Sequence, residues 1–245
     1  MSAEEKFRRF NFPKMIVSIV KGEDTKELYK TFNDDIKANY ADNKNMKVLK
    51  YNNENKEIIG SNIFVVSRLS ELLELSNIRT AIPSDDRYGD ISRLVKDKFY
   101  TDFNALVLRT AGDSYSKNDK IAKDLAGKIE NKQRKLKLPL MIVNPLVRYS
   151  KDSENAYGLV FNISKNTQII EDERLDGKKY QSEMKFNEVD DLGLPFFDEN
   201  GARTWYSRED GLCRLGLNWG LDLLSNDVDL ALSNDLGRVV VVSDS

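Results

Sequence analysis

The chain of 245 residues has no histidine and one cysteine, Cys213. Without histidine it lacks the usual general base, the commonest metal ligand and the Ser–His and Cys–His nucleophiles. A lone cysteine excludes an intrachain disulfide and fits a reducing compartment. Carboxylates remain. Glu171, Asp172 and Glu173 are clustered as a glycosidase would need, but neighbours on an exposed hairpin seldom converge on one bond. Asp198-Glu199-Asn200-Gly201 lacks the D-x-[DN]-x-[DN]-G spacing and the distal Glu of a calcium loop, so it reads as a turn. Asp85-Asp86 and Asp190-Asp191 read as ordinary acidic loop pairs. Neither GxGxxG nor GxxxxGK[ST] occurs to cradle phosphates. The formal net charge is −2, which gives no field to recruit nucleic acid. The basic run Lys132–Lys137 reads as a solvated helix end. The expectation is a chain with no catalytic set, no metal, no cofactor and no nucleic-acid partner.

The chemistry that does stand out is compositional. Residues 1–210 hold all 24 lysines and all 16 glutamates, and residues 211–245 hold neither. In this tail a frame of Leu212, Leu215, Leu217, Leu221, Leu223, Ser225, Leu230, Ala231, Ser233, Gly237 and Arg238 alternates with a second set. The second set is Cys213, Gly216, Asn218, Trp219, Gly220, Asp222, Leu224, Asn226, Asp227, Val228, Asp229, Leu232, Asn234, Asp235 and Leu236. Fourteen of these fifteen can be reached from an Asn codon by changing adenines alone, a class that excludes Lys, Glu, Gln and Met. Trp219, the exception, is one adenine change from an AGG arginine codon. A buried strand region rich in Leu and Val would also lack Lys and Glu. It does not explain seven Asn and Asp among the fifteen, since these are poor strand formers. Nor does it explain the near-repeat of Leu224-Ser225-Asn226-Asp227 in Leu232-Ser233-Asn234-Asp235.

The frame GL-x-RL-x-L-x3-L-x-L-x-S-x4-LA-x-S-x3-GRVVVV, over about residues 201–242, resembles the variable region of proteins diversified by diversity-generating retroelements, of the archaeal or archaeal-virus kind. In such systems adenine-directed mutagenesis rewrites the 3′ end of a target gene. The resemblance implies a C-type-lectin-like fold of the formylglycine-generating-enzyme type. It also implies a hypervariable surface formed by the fifteen interleaved residues, binding a protein or a surface glycan. It carries no enzyme activity, because a formylglycine-generating site needs paired cysteines. Function is then selective binding on a rigid frame, with Asp222, Asp227, Asp229 and Asp235 making this version acidic and suited to a basic or donor-rich ligand. Trp219, among polar neighbours, has hot-spot composition, whereas Trp205 and Tyr206 read as core. Two other classes stay open: an α/β enzyme with a nucleotide or sugar-phosphate site in residues 1–145, and a structural assembly protein whose tail is an interface.

The elements expected to carry this surface follow from patterning. The composition, 40% hydrophobic and 32% charged, is that of a soluble globular chain. No apolar run approaches transmembrane length and the N-terminus does not read as a signal peptide, so no membrane insertion is expected and the compartment is left open. Residues 15–20 read as a strand, 25–39 as a helix, 46–51 as a strand, 61–75 as a helix capped by Ser61, and 90–99 as a helix. Strand 104–109, helix 118–133 and strand 138–143 follow. Beyond about residue 150 the pattern predicts hairpins, 157–163 with 167–171 and 194–197 with 203–206, then short strands, loops and a last strand at 239–242. The fold class is therefore α+β, expected as one monomeric C-type-lectin-like unit over 1–245. Its helix-rich half spans about 1–145 and its strand and loop half 146–245, carrying the variable segment 213–236; residues 1–145 as a separate domain remain an alternative.

Overall fold

The computed structural model describes residues 17–133, 136–179 and 183–243. The architecture is mixed α/β, and its main sheet is curled into a half-barrel. The strands are β1 (Val17–Ile19), β2 (Lys50–Asn52), β3 (Glu57–Ile59), β4 (Ile78–Thr80), β5 (Thr101–Leu108), β6 (Leu140–Val143), β7 (Leu146–Tyr149) and β8 (Leu159–Asn162). They continue with β9 (Gln168–Glu171), β10 (Glu183–Val189), β11 (Pro195–Phe197), β12 (Arg203–Ser207), β13 (Leu212–Leu217), β14 (Leu223–Asp227) and β15 (Val240–Ser243). The helices are α1 (Thr25–Asn39), α2 (Ile63–Leu73), α3 (Asp90–Val95) and α4 (Ser116–Gln133).

The eight-stranded sheet runs β11-β10-β12-β14-β13-β5-β6-β9, and a three-stranded sheet runs β1-β15-β4. Every pair is antiparallel except β12 with β14. The central strand β5 is buried along its whole length; Ala105–Leu108 is an unbroken apolar run, while Thr101, Asp102 and Asn104 are buried polar residues. Leu106 and Leu108 face a core built with α1, α2 and α4. Phe103, Ala105 and Val107 face a second core with Trp205, Leu215, Leu217 and Leu223. The four valines of 239–242 divide the same way, Val239 and Val241 to the first core, Val240 and Val242 to the second. This is the period-two alternation of a strand buried on both faces.

Several expectations change. Helical structure is not confined to the front of the chain: α4 crosses the midpoint and a 3-10 turn lies at Glu173–Leu175. First-half strands β5 and β6 sit inside the main sheet beside second-half strands. The two hairpins are not formed. Strand β8 pairs with β7 and β9 with β6, while β10, not anticipated, lies between β11 and β12. β10 escapes notice because only Phe186 and Val189 along it are buried. Helix α2 is capped by Asn62, whose side chain accepts from Val65 N at 2.9 Å; Ser61 is spent on the neighbouring strand, where its Oγ accepts from Asp102 N. Helix α3 stops at Val95, with Asp97 in a left-handed conformation, and residues 46–49 precede β2 without joining it. Residues 15–16 of the first expected strand and 134–135 of the basic run lie outside the described residues.

Helices α1 and α2 are joined by a buried ion pair. Arg68 donates to both carboxylate oxygens of Asp35 at 2.8 and 2.7 Å, and to Glu71 at 2.6 Å. Arg148 adds a two-pronged contact to Glu71 at 2.8 and 2.6 Å. Burial opposes ionisation of Glu71, yet Arg148 and Arg68 hold its carboxyl below the usual range. The unfolded chain then binds more protons than the folded one near pH 4, so this contribution is present above that pH and lost as pH falls. Glu71→Gln is expected to flatten the rise of unfolding free energy between about pH 3 and pH 5. Denaturant titrations at each pH check it: a slope equal to wild type means that Glu71 is not a linked group.

Candidate binding surface

The tail begins on β13, in the middle of the main sheet. Its frame residues Leu212, Leu215, Leu217, Leu223 and Leu230 are all buried. The interleaved set divides. Trp219, Gly220, Asn226, Leu232, Asn234, Asp235 and Leu236 are exposed; Asn218, Asp222, Leu224, Val228, Asp227 and Asp229 are half-buried. Cys213 and Gly216 are buried, against the expectation of a surface position for each. Both sit on β13, which is flanked by β5 and β14. Burial pushes the Cys213 thiol up to about 11, against the pull of Arg109 and Arg208. A Cβ on Gly216 would stand 3.1 Å from the Thr101 carbonyl oxygen, so larger residues fit only if β5 gives way.

Asn226 is exposed on β14, and two loops carry the other exposed members. In the first, Asn218–Asp222, the Asn218 amide group and the Asp222 carboxylate bond each other across the turn, and Leu221 adopts a left-handed φ of 69°. Asp222 also accepts from Thr204 N at 2.8 Å, and Arg203 Nε donates to Leu221 O at 2.7 Å. Trp219 projects from this turn, 57% exposed, while its carbonyl accepts from Asp97 N.

The second loop, between β14 and β15, is irregular but its backbone is held from outside. Asn118 donates to Val228 O at 2.7 Å, and Asn62 to Ala231 O at 3.2 Å. The Tyr100 hydroxyl accepts from Asn234 N at 3.1 Å, and Tyr100 N donates to Leu236 O. The frame serine Ser233 accepts from Ser61 N at 3.0 Å. Frame residue Gly237 has no room for a Cβ, which would meet Ser61 N at 2.7 Å and the Tyr100 hydroxyl at 2.8 Å. These groups satisfy loop backbone that would otherwise need water. The segment Asp97–Tyr100 touches both loops, so it brings Trp219 and the Asn234–Leu236 group to one side of the molecule. Leu224, Gly216 and Asp227 line one crevice with Tyr100 and Arg214, with a volume of about 10 Å³.

Beneath the loops lies Arg214, 4% exposed. It donates to Asp102 at 2.7 Å, to Leu232 O at 2.9 Å and, through Nε, to Asp227 at 3.0 Å. Burial opposes its charge, but Asp102 and Asp227 outweigh that and hold the guanidinium ionised. Asp227 is therefore an internal partner and not a free recognition group. Asp222 is likewise committed to its turn, and Asp235 pairs with Lys50 at 2.7 Å on the surface. The acidic character expected of the surface is largely cancelled by these contacts.

Other residues read for chemistry resolve as structure. Asp172 is held by Arg174, which keeps its carboxyl below the usual range; Glu171 faces Lys137 and Glu173 faces Lys179. Asp198 organises the turn to Gly201. Asp86, read as a loop carboxylate, is buried and bonded by Ser92 and Arg203. Trp205 is fully buried. Among the described residues no group of three or more His, Cys, Asp or Glu is placed to hold a metal ion, and no described helix is long and apolar enough to cross a membrane. No family model, curated protein or solved structure matches the chain.

Frame and surface positions are expected to separate in stability. Leu223→Ala should cost about 2–5 kcal/mol through the cavity it leaves. Asn234→Ser and Trp219→Tyr should stay within about 0.5 kcal/mol. Asp227→Ala belongs between them, at about 1.5–3 kcal/mol, because it strips a charged hydrogen bond from Arg214. Chemical denaturation orders the four, and equal costs for Asn234→Ser and Leu223→Ala would remove the distinction. Cys213 should resist a thiol reagent in the folded protein and react on unfolding; rapid native labelling would contradict its burial.

Proposed function

We propose that the chain is a ligand-binding protein of the kind diversified by a retroelement, with a lectin-like fold and no catalytic role of its own. One observation carries this reading: the irregular segment between β14 and β15 has its backbone tied to upstream residues while the side chains of Leu232, Asn234, Asp235 and Leu236 are exposed. Leu232, Asp235 and Leu236 can change there without disturbing the bonds that fix the loop, whereas Asn234 and Asp229 also accept from Leu236 N at 2.8 Å and from Ala231 N at 3.1 Å. Pairing of the terminal strand β15 beside β1 supports the lectin-like reading of the fold. The recognition group is Trp219, Asn226, Leu232, Asn234, Asp235 and Leu236, with Asp229 and Val228 at its margin. Two apolar side chains flank the polar ones, Leu232 at 48% and Leu236 at 52% exposure, and with Trp219 they form an amphipathic surface suited to a protein target or a surface glycan. The half-buried Asn218, Asp222, Leu224 and Asp227, and the buried Cys213 and Gly216, shape the support.

Randomising the exposed set as a displayed library tests the proposal. Most members should fold, and selection against unrelated protein targets should enrich different side chains on one backbone. A library that yields few folded members, or no binders, would sink the reading. So would the lack, in the source genome, of a reverse transcriptase gene beside an adenine-marked near-copy of the tail.

A further inference from the structure

Away from the tail, three large apolar side chains gather in one place. Tyr88, Phe196 and Leu192 are 72%, 57% and 39% exposed, and all three line a cleft of about 900 Å³. Scattered exposed apolar residues are normal, but three lining one concave surface mark a contact site. The cleft lies between the turn that leads into α3 and the strands β10 and β11.

Its charges are unevenly matched. Asp86 is taken by Arg203, Asp190 by Arg174, and Asp191 by Arg87. Both arginines of the lining are engaged in these pairs, and Arg87 also lies over the Tyr88 ring at 5.2 Å. Glu188 is exposed on β10 and has no ion-pair partner among the described residues. The lining thus offers one uncompensated carboxylate together with two exposed aromatic rings and a leucine. An anion is repelled by Glu188. A neutral apolar group leaves that carboxylate unanswered. A cation on an apolar stem uses every part: its head meets the carboxylate and the ring faces, and its methylenes cover the rings and Leu192.

We propose that this cleft is a docking site for a lysine or arginine side chain presented by a partner protein. The assignment stands on the cleft alone and does not depend on how the tail is used. The two surfaces are nonetheless connected. Arg203 closes one side of the cleft through Asp86 and, through its Nε, holds the carbonyl of Leu221 in the Asn218–Asp222 turn. A partner seated on the tail therefore has a fixed anchor point within reach of Trp219's turn.

Titration of the full chain, followed by NMR of the Tyr88 and Phe196 rings, tests the proposal. The probes are Nα-acetyl-arginine methylamide and Nα-acetyl-lysine methylamide, with the norleucine and glutamate equivalents as comparators. The cationic probes should give saturable shifts and bind more tightly than norleucine by about 2–5-fold. Glu188→Gln should remove that advantage, and Phe196→Ser should weaken both probes. Glu188 is exposed, so its conservative variant should fold, and an unchanged unfolding transition confirms it. Equal binding of norleucine means a plain apolar groove and overturns the proposal. Preference for glutamate, absence of saturable shifts, or indifference to Glu188→Gln overturns it as well. Because neither Glu188 nor Phe196 belongs to the tail, these outcomes are independent of the library selection.

Discussion

The tail is organised around a buried charge. Arg214 sits in the middle of β13, with Asp102 of β5 on one side, Asp227 of β14 on another and the Leu232 carbonyl above it. Tyr100 lies over the guanidinium at 5.9 Å. Taking a guanidinium and a carboxylate out of water is expensive, and the arrangement is stable only while every partner is present. Asp102 is itself buried, and burial holds its carboxyl above its usual range even beside Arg214. One Asp102 oxygen has no hydrogen-bond partner among the described residues. The consequence is a register device. A slip of β13 against β5 or β14 would leave Arg214 without carboxylates in an apolar core, so the frame leucines are locked to their faces.

That device also divides labour between the tail and the rest of the chain. The groups that hold the second loop are Asn62, Asn118, Tyr100 and Ser61, all from the first half of the sequence. A loop whose conformation depended on its own side chains could not tolerate their exchange. Here most of the holding groups lie outside the loop, and within it Asp229 and Asn234 add bonds to Ala231 N and Leu236 N. Arg109 makes the same point for β14: it is buried and bonds the Ser225 carbonyl at 2.8 Å and the Ser225 hydroxyl. The two serines of the near-repeat are thus both structural, Ser225 to Arg109 and Ser233 to Ser61, while the Asn beside each points outward.

This explains which parts were legible in the sequence. Frame leucines declare themselves because burial demands apolarity, and long helices such as α1 and α4 show their period. Codon accessibility cannot tell an exposed aspartate from a paired one. Asp227 and Asp235 occupy equivalent places in the near-repeat, yet one is 22% exposed against Arg214 and the other 69% exposed against Lys50. The difference lies in the strand and loop that carry them, which no local pattern encodes. The same holds for β10. It pairs with two strands that both follow it in sequence, β11 across the Asp190–Leu194 turn and β12 on its other edge, and its sparse apolar residues conceal it. Asp86 was hidden for another reason: a buried carboxylate that satisfies Ser92 and Arg203 has the same local sequence as a solvated one.

Arg203 ties these levels together. Its guanidinium lies over the Phe186 ring at 4.6 Å, pairs with Asp86 and holds the Leu221 carbonyl. It therefore joins the turn before α3, the strand β10 and the turn that presents Trp219. Leu221 occupies a left-handed conformation that costs a non-glycine residue strain, and the bond from Arg203 to its carbonyl is one of the contacts that keep the turn closed. Trp219 can then remain exposed on a rigid support instead of folding back onto the core. A large aromatic side chain held in this way loses little freedom on binding, which is the physical advantage of presenting a contact residue on a turn fixed from outside.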